Sequence, residues 1–290
     1  MNALENAFSY TDQYQRYSST GAAAHFYHAN GFPLGVYAAL VEQLAADFAL
    51  SALKNRATWQ GVGAPDARIS WATYADDLIE YLQQGDGEPI IGIGHSMGAT
   101  ATLIAAHKHP ELFRALVLIE PAMLKPLQAV AVNMLPMALK QFIEPIRSTL
   151  RKPHHWDSHD DFRQLYGGKR AFRRFDAQAL DTLMDAAVVP GVQGGVKLAF
   201  PVQWEAYNYA NAMNVMPLAR KVKVPTVVIR GKPSVFFSEK MWRRWQAAAP
   251  ETVFLENSEY GHLLPLEAPE ICYQLVREGL AQLGVESQRA

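Results

Sequence analysis

The chain of 290 residues can form one large α/β domain or two average ones, and its 49% hydrophobic and 19% charged residues are typical of a globular protein. Its formal net charge of −1 supplies no basic field, so neither nucleic acid nor an acidic membrane surface is an expected partner. The single cysteine, Cys272, excludes an intramolecular disulfide and favours a reducing compartment.

No stretch of the sequence has the pattern of a secretion signal or a membrane anchor. The first six residues lack the positive and apolar regions of a signal peptide. The best apolar candidate, residues 127–143, is broken by Asn133, Pro136 and Lys140, and no apolar run reaches the roughly 18 residues that span a bilayer. We therefore predict a soluble, cytoplasmic protein without an integral membrane segment.

Short apolar runs alternate with longer runs of helical periodicity, which predicts a mostly parallel sheet with helices on its faces. The segment 10–20 is predicted as a strand or hairpin at the sheet edge. In chain order, the other predicted strands are 24–28, 48–53, 89–93, 115–119, 226–230 and 252–256. The predicted helices are 36–46, 74–83, 97–108, 239–248 and 269–283.

The alternation of strands and helices lapses in residues 122–217. Helical patterns fill this stretch, with breaks at Pro190-Gly191 and Gly194-Gly195. We interpret residues 122–217 as a helical cap inserted into a core domain of residues 1–121 and 218–290.

The segment Gly94-His95-Ser96-Met97-Gly98 lies between a predicted buried strand and a predicted helix. A G-x-S-x-G motif in that setting is typical of a nucleophile elbow, a turn so tight that the residues two before and two after the serine must be small. The turn exposes the Ser96 hydroxyl and aims the Met97 N–H at a developing oxyanion. A dinucleotide-binding loop is a weak alternative, because Met97 stands where G-x-G-x-x-G has its third glycine.

A serine nucleophile requires a base that takes its proton, and the base requires a carboxylate that orients it. His262 follows the last predicted strand and the flexible Gly261, and it precedes a helix predicted to start near Pro269. The order of serine before histidine fits this architecture. We therefore predict His262 as the base.

A second oxyanion donor is expected near the N-terminus. Asn30, Gly31 and Phe32 follow a short predicted strand, and a glycine turn there can aim a backbone N–H at the space above the serine. We predict the Phe32 amide as this donor, together with the Met97 amide.

These motifs resemble those of the α/β-hydrolase superfamily, and the chain is similar to its cap-bearing serine hydrolases. The resemblance extends from residue 25 to about residue 280. It implies an α/β-hydrolase fold, hydrolysis, and no metal or organic cofactor. The segments that carry it are N-G-F-P at 30–33, G-H-S-M-G at 94–98, the runs 109–119 and 224–231, and Gly261-His262.

The chain departs from the family pattern at two positions. Asn30 stands where relatives usually have histidine, and no carboxylate follows Gly231, where they commonly place the acid. The superfamily has a second location for the acid, after the preceding core strand, and there this chain has Glu120. Because strand ends cluster at one edge of a parallel sheet, Glu120 is predicted to reach His262. Glu239 is the alternative acid, and Glu120 as an opening residue of the cap linker is the alternative role.

If the predicted cap covers the serine, some of its aromatic side chains must line the pocket. We name four candidate substrate contacts: Asn30, His95, Phe142 and Trp204. For His95, inside the elbow, a packing role is the alternative.

The histidine- and aspartate-rich run 154–161 has no recognised metal-ligand spacing. Ser158 and Asp161 fit a helix N-terminal capping box instead. No metal site is predicted.

The expected function is cleavage of a small-to-medium uncharged ester through an acyl-enzyme intermediate. Ser96 attacks, His262 moves the proton, Glu120 orients the histidine, and the Met97 and Phe32 amides hold the oxyanion. The apolar cap favours a buried acyl or aryl group. The expected partner is thus a small-molecule ester, and no pattern predicts an oligomeric state.

Other activities stay open at this point. A lipase, a lactonase, a thioesterase or a carbon–carbon bond hydrolase would use the same nucleophile. A ligand-binding or signalling homologue with little turnover is the alternative from another class, and the departures at Asn30 and after Gly231 leave room for it.

Overall fold

The computed structural model describes residues 13–85 and 87–285 of the chain, and it confirms the predicted alternation of strands and helices. The strands are β1 (Tyr14–Arg16), β2 (Ala22–Tyr27), β3 (Phe48–Leu53), β4 (Ile90–His95), β5 (Phe113–Ile119), β6 (His155–Trp156), β7 (Val188–Pro190), β8 (Val196–Leu198), β9 (Thr226–Gly231) and β10 (Val253–Asn257).

The helices are α1 (Ala38–Asp47), α2 (Trp71–Gln83), α3 (Met97–Lys108), α4 (Pro126–Met134), α5 (Met137–Lys140), α6 (Ile146–Arg151), α7 (His159–Gly167), α8 (Ala177–Ala186), α9 (Val202–Ala210), α10 (Met216–Ala219), α11 (Glu239–Ala248), α12 (Leu264–Glu267) and α13 (Pro269–Gln282). Helix α2 begins three residues before its predicted start, because Ser70 and Thr73 cap its first turn reciprocally. No helix in the described part of the chain is long and apolar enough to cross a membrane.

Seven strands of the described chain form the main sheet, in the order β1-β3-β2-β4-β5-β9-β10. All neighbouring pairs are parallel except β1, which joins β3 antiparallel at the edge. The predicted edge strand is thus β1, and residues 10–12 of that prediction lie outside the described residues. The strand order reverses direction at β2 and β4, and in such sheets the crevice at the carboxyl ends of these strands is where ligands bind.

Alternate side chains of the strands bury apolar area on the two faces of the sheet. Phe26 packs with α1 and α13 on one face, and the next residue, Tyr27, packs with α2, α3 and α11 on the other. Cys272 on α13 is fully buried in the first of these cores. Burial on both faces explains why the central strands are continuous apolar runs rather than alternating ones.

Residues 122–217 are not purely helical, which corrects one sequence expectation. β6, β8 and β7 form a three-stranded antiparallel sheet in that order. The glycines interpreted as breaks between helices make the turn of the β7–β8 hairpin, where Gly191 N–H donates to the Gly195 oxygen at 2.9 Å and both Gly194 and Gly195 have positive φ. β-Branched valines on either side of a glycine-rich loop favour a hairpin.

The elements from α4 to α10 lie between β5 and β9 in the chain, and α9 anchors them to the core. Trp71 and Tyr74 of α2 donate hydrogen bonds to the backbone and side-chain oxygens of Asn208, at 2.8 and 2.6 Å. Helix α9 therefore lies in a fixed position relative to the main sheet. The role of residues 122–217 as a cap stays a prediction.

Candidate active site

Ser96 lies in the tight turn between β4 and α3. Its backbone has φ 55° and ψ −118°, a conformation that a non-glycine residue rarely adopts and that tends to occur at functional sites. A Cβ atom on Gly94 would lie 2.6 Å from the Ala99 backbone, and one on Gly98 would lie 2.1 Å from the Tyr27 oxygen. The close approach of these backbones therefore requires both glycines of the motif.

Three polar side chains from distant parts of the chain meet at this turn. His262, in the loop between β10 and α12, places Nε2 3.0 Å from Ser96 Oγ and Nδ1 2.9 Å from a Glu120 carboxylate oxygen. Because Nδ1–H donates to the carboxylate, Nε2 is left as an acceptor for the serine proton. The arrangement has the geometry of a nucleophile, a base and an orienting acid.

The carboxylate of Glu120 is completely buried just after the end of β5. One oxygen accepts the Gly231 N–H at 2.7 Å, and the other accepts hydrogen bonds from the Ser234 hydroxyl and His262. A buried charge is tolerated when donors of this kind surround it. The structure therefore brings Glu120, rather than a residue after β9, to the histidine.

Glu239 lies elsewhere. Its carboxylate accepts hydrogen bonds from Arg230 at 2.6 Å and Arg243 at 2.8 Å, and these bonds, that of Arg230 first, lower its pKa to about 2. It occupies the first turn of α11, where a negative charge is favourable. Both oxygens are thus used in ion pairs, one with Arg230 of β9 and one with Arg243 of α11.

A buried histidine supports the loop that carries the predicted second oxyanion donor. His28 Nε2 accepts the Asn55 N–H at 2.7 Å, so its Nδ1 carries the proton and donates to the Ala29 oxygen at 3.1 Å. Burial lowers the pKa of His28 to about 4, opposed by the carbonyls of Ala29 and Phe32. The neutral ring therefore bonds to Ala29, at the start of the segment that leads to Phe32.

Asn30 connects the same loop to α9. Its Nδ2 donates to the backbone oxygen of Glu205 at 3.0 Å, and its Oδ1 accepts from Asn208 at 2.9 Å. The next residue, Gly31, has φ 81°, which glycine adopts without strain. The side chain of Asn30 thus binds the loop to α9.

Another chain of hydrogen bonds joins this loop to the elbow and to the base. The Ala29 N–H donates to the Tyr37 hydroxyl at 3.2 Å, and that hydroxyl donates to His95 Nδ1 at 2.7 Å. His95 Nε2 then donates to the backbone oxygen of His262 at 2.8 Å. Burial is the main reason that the pKa of His95 is far below its usual value, which keeps the ring neutral.

The four candidate substrate contacts have different surroundings. His95 is fully buried with both ring nitrogens occupied, which leaves none for a substrate. Trp204 is buried in the core and donates to the Gly63 oxygen at 2.9 Å. Phe142 is 64% exposed. Asn30 borders the site but uses its amide to bind α9.

Several residues that contact the site are not among those predicted from the sequence. Ser234 donates to the Glu120 carboxylate, and Phe236 lies with its ring centroid 4.7 Å from that of the histidine. Both follow Gly231 at the carboxyl end of β9, and residues in this location are expected at the edge of the sheet where ligands bind. Nothing local to Tyr37 indicates its contact with the elbow.

Residues 154–161 form β6 and the beginning of α7, and the Ser158 hydroxyl accepts the Asp161 N–H at 3.1 Å, as the capping pattern predicts. Across residues 13–85 and 87–285, no group of three or more histidine, cysteine, aspartate or glutamate side chains is arranged to hold a metal ion.

The chain is similar to known proteins in sequence and in fold. The model of the "Alpha/beta hydrolase family" matches residues 21–275. Among solved structures, E-2-(acetamidomethylene)succinate hydrolase superposes with a TM-score of 0.74 at 21% identity, over 92% of this chain and 94% of that one. A thermophilic esterase from Thermogutta terrifontis superposes with a TM-score of 0.67 at 18% identity, over 93% of each chain. At these identities the likeness shows the fold.

One curated relative is similar in sequence. A protein of Cyberlindnera fabianii named "Probable alcohol acetyltransferase" is 24% identical over 213 residues. The match covers 69% of this chain and 56% of that protein, so this chain matches little more than half of the relative's length.

Proposed function

The chain belongs to the α/β-hydrolase family, and from this premise we propose that it is a serine hydrolase that cleaves a small-to-medium ester through an acyl-enzyme intermediate. The observation that carries the proposal is the unbroken contact from Glu120 through His262 to Ser96, at 2.9 and 3.0 Å. Family members generally use such a contact to activate the serine.

In the proposed reaction, Ser96 Oγ attacks the acyl carbon while its proton moves to His262 Nε2. The carbonyl oxygen becomes an oxyanion, and the amides of Met97 and Phe32 donate to it. Collapse of the intermediate breaks the bond to the alcohol, which takes the proton from His262. A water molecule then gives its proton to His262, attacks the acyl-enzyme and releases the acid, and Ser96 regains its proton.

The acyl-enzyme can be resolved by an alcohol as well as by water, and the relative named as an acetyltransferase favours this as a second candidate function. Ser96 is 7% exposed, so access of water to the acyl group depends on the segment above it. When an alcohol is the acceptor, the acyl group passes from Ser96 to the alcohol oxygen, and the alcohol proton passes through His262 to Ser96.

A ligand-binding homologue with little turnover is the contrasting hypothesis. The contact between Glu120 and His262 favours an enzyme, because a binding protein does not require an oriented base.

The test is hydrolysis of p-nitrophenyl esters from acetate to palmitate, with Ser96→Ala as the blank and Ser51→Ala as a control far from the turn. We expect Ser96→Ala to lose on the order of 10³-fold or more in turnover. Added ethanol should yield an ethyl ester if an alcohol is an acceptor. Cleavage that equals the Ser96→Ala blank across the whole series would contradict the hydrolase proposal.

A further inference from the structure

A buried carboxylate borders the loop that carries the proposed oxyanion donor, and two lysines lie near that carboxylate. Glu205 of α9 is 8% exposed, and a Cβ atom on Gly31 would lie 2.8 Å from its Cδ. Lys152 forms an ion pair with the same carboxylate. The Nζ atom of Lys169 lies 3.4 Å from the centroid of the Tyr166 ring. We call Lys152, Glu205 and Lys169 the charged triplet.

The charged triplet contains two positive side chains and one negative side chain. Lys152 is paired with Glu205, and their side chains are 16% and 11% exposed. Lys169 is half-buried, and among the described residues no carboxylate forms an ion pair with it. Removing an ammonium group from water is unfavourable unless an anion or another acceptor compensates. The face of a tyrosine ring supplies only part of that compensation.

The electrostatics of the neighbouring groups agree with this description. Burial, and next the charge of Lys152, lower the pKa of Lys169 to about 8, and Glu205 opposes the shift. Burial and the Glu205 carboxylate raise the pKa of Tyr166, which therefore stays neutral. At neutral pH the triplet thus has a net charge of +1.

Aromatic side chains connect the triplet to the candidate base. The ring of Tyr209 stacks on Phe236 with centroids 6.1 Å apart, and Phe236 lies 4.7 Å from the ring of His262. Burial, then the Glu205 charge and Tyr166, raise the pKa of Tyr209, so these groups are close enough to interact. Phe236 and Tyr209 therefore link His262 to the neighbourhood of Glu205 and Tyr166.

We propose that the substrate is an ester carrying a free carboxylate, and that Lys169 binds this carboxylate. The inference rests on the proposed ester hydrolysis and specifies its substrate class. A monoanion would balance the triplet at two charges of each sign, which favours a carboxylate over a dianionic phosphate. This substrate class differs from the uncharged ester predicted from the sequence, because the sequence does not show that these charges meet.

The experiment compares matched esters that differ only in the carboxylate. The monoethyl esters of succinate, glutarate and adipate are set against ethyl butyrate, valerate and hexanoate, with release of ethanol as the measurement. We expect kcat/KM to be about 10-fold or more higher for at least one acidic ester than for its neutral partner. The preference should decrease as salt concentration rises, because salt screens partly exposed charges.

Variants of Lys169 assign the preference to this side chain. Lys169→Met should abolish the preference for acidic esters, mainly by raising their KM, while Lys169→Arg should retain the preference. The control Lys240→Met removes the same charge from an exposed position on α11 and should leave kcat/KM unchanged for both kinds of ester. An equal or higher kcat/KM for the neutral esters, or an unchanged ratio in Lys169→Met, would overturn the proposal.

Binding to Ser96→Ala separates this inference from the hydrolase proposal. Calorimetric titration with each of the three monoethyl esters (the half-esters) measures binding without turnover. Binding that Lys169→Met weakens in this background would support the carboxylate site even if the wild-type protein cleaved no ester. Undetectable binding of all three half-esters would contradict the site whatever the hydrolysis assays gave.

Discussion

His95 Nε2 donates a hydrogen bond to the backbone oxygen of His262, so the residue directly before the serine supports the loop that carries the candidate base. The other ring nitrogen accepts from Tyr37, whose hydroxyl also accepts the Ala29 N–H. Three loops at the carboxyl end of the sheet are thus joined by one chain of hydrogen bonds. A change at one loop should therefore shift the other two, and catalysis is sensitive to shifts of about 1 Å.

Tyr37→Phe tests this connection. The change removes the hydroxyl that donates to His95 and accepts from Ala29, and it leaves two buried groups without a partner. We expect kcat to fall about 10-fold with little change in KM and the free energy of unfolding to fall by about 1–3 kcal/mol. Ester kinetics and urea unfolding measure the two effects.

Tyr273→Phe is the matched control, since that hydroxyl bonds to Asp47, directly before β3 begins, whereas the site loops follow the carboxyl ends of the strands. It should leave kcat unchanged. A Tyr37→Phe variant that lost stability but kept the wild-type kcat would show that the hydrogen bonds serve the fold alone.

The acid of the proposed triad is tested by two isosteric changes. Glu120→Gln keeps the size of the side chain but removes the charge that orients and stabilises His262, and we expect turnover to fall by about 10³- to 10⁴-fold. Glu239→Gln removes an ion-paired surface carboxylate and should leave turnover within about twofold. Ester hydrolysis by both variants is the measurement. The reverse order of effects would move the acid to α11.

Glu205→Gln should act in the opposite direction to Lys169→Met. It leaves the backbone oxygen that Asn30 binds, but it raises the net charge beside the oxyanion loop from +1 to +2. We expect kcat/KM for the half-esters to rise several-fold while the neutral esters stay unchanged. Glu251→Gln, at an exposed position, is the charge-matched control. A lower kcat/KM for the half-esters in Glu205→Gln would argue against a carboxylate at Lys169.

Three buried histidines make stability depend on pH. Burial lowers the pKa of His25 to about 3 and of His28 to about 4, and it lowers that of His95 as well. Below about pH 6.5 the unfolded chain binds protons at these sites before the folded protein does. The free energy of unfolding is therefore retained above pH 6.5 and decreases as pH falls toward 4, with a slope that approaches about 1.4 kcal/mol per pH unit for each histidine.

Urea unfolding between pH 8 and pH 4 measures this dependence. His25→Gln should reduce the slope, because it removes one of the three titrating side chains. A glutamine oxygen can still accept the Leu53 N–H, which now donates to the ring at 2.9 Å. His107→Gln, on the exposed end of α3, should leave the slope unchanged. An unfolding free energy that stayed constant from pH 6.5 to pH 4.5 would contradict neutral buried histidines.

The sequence predicted the features that depend on short segments of chain. The strand and helix that enclose Ser96 follow from an apolar run, two small residues and an alanine-rich stretch. The sequence also predicted that Glu120, directly after β5, lies near His262, because the carboxyl ends of parallel strands lie at one edge of the sheet. Which of two glutamates reaches His262 was decided by the fold, since Glu120 meets donors more than 100 positions away in the chain.

The hairpin within residues 122–217 shows the limit of local patterns. Its glycines can end a helix or turn a hairpin, and the pairing of β8 with both β6 and β7 fixes the strands. The same holds for the charged triplet, whose members lie 17 to 53 positions apart in the chain. By itself the sequence determined the alternating elements and the serine turn, because both arise between near neighbours. The tertiary structure decided the charges and hydrogen bonds around that turn, because these exist only where distant segments meet and exclude water.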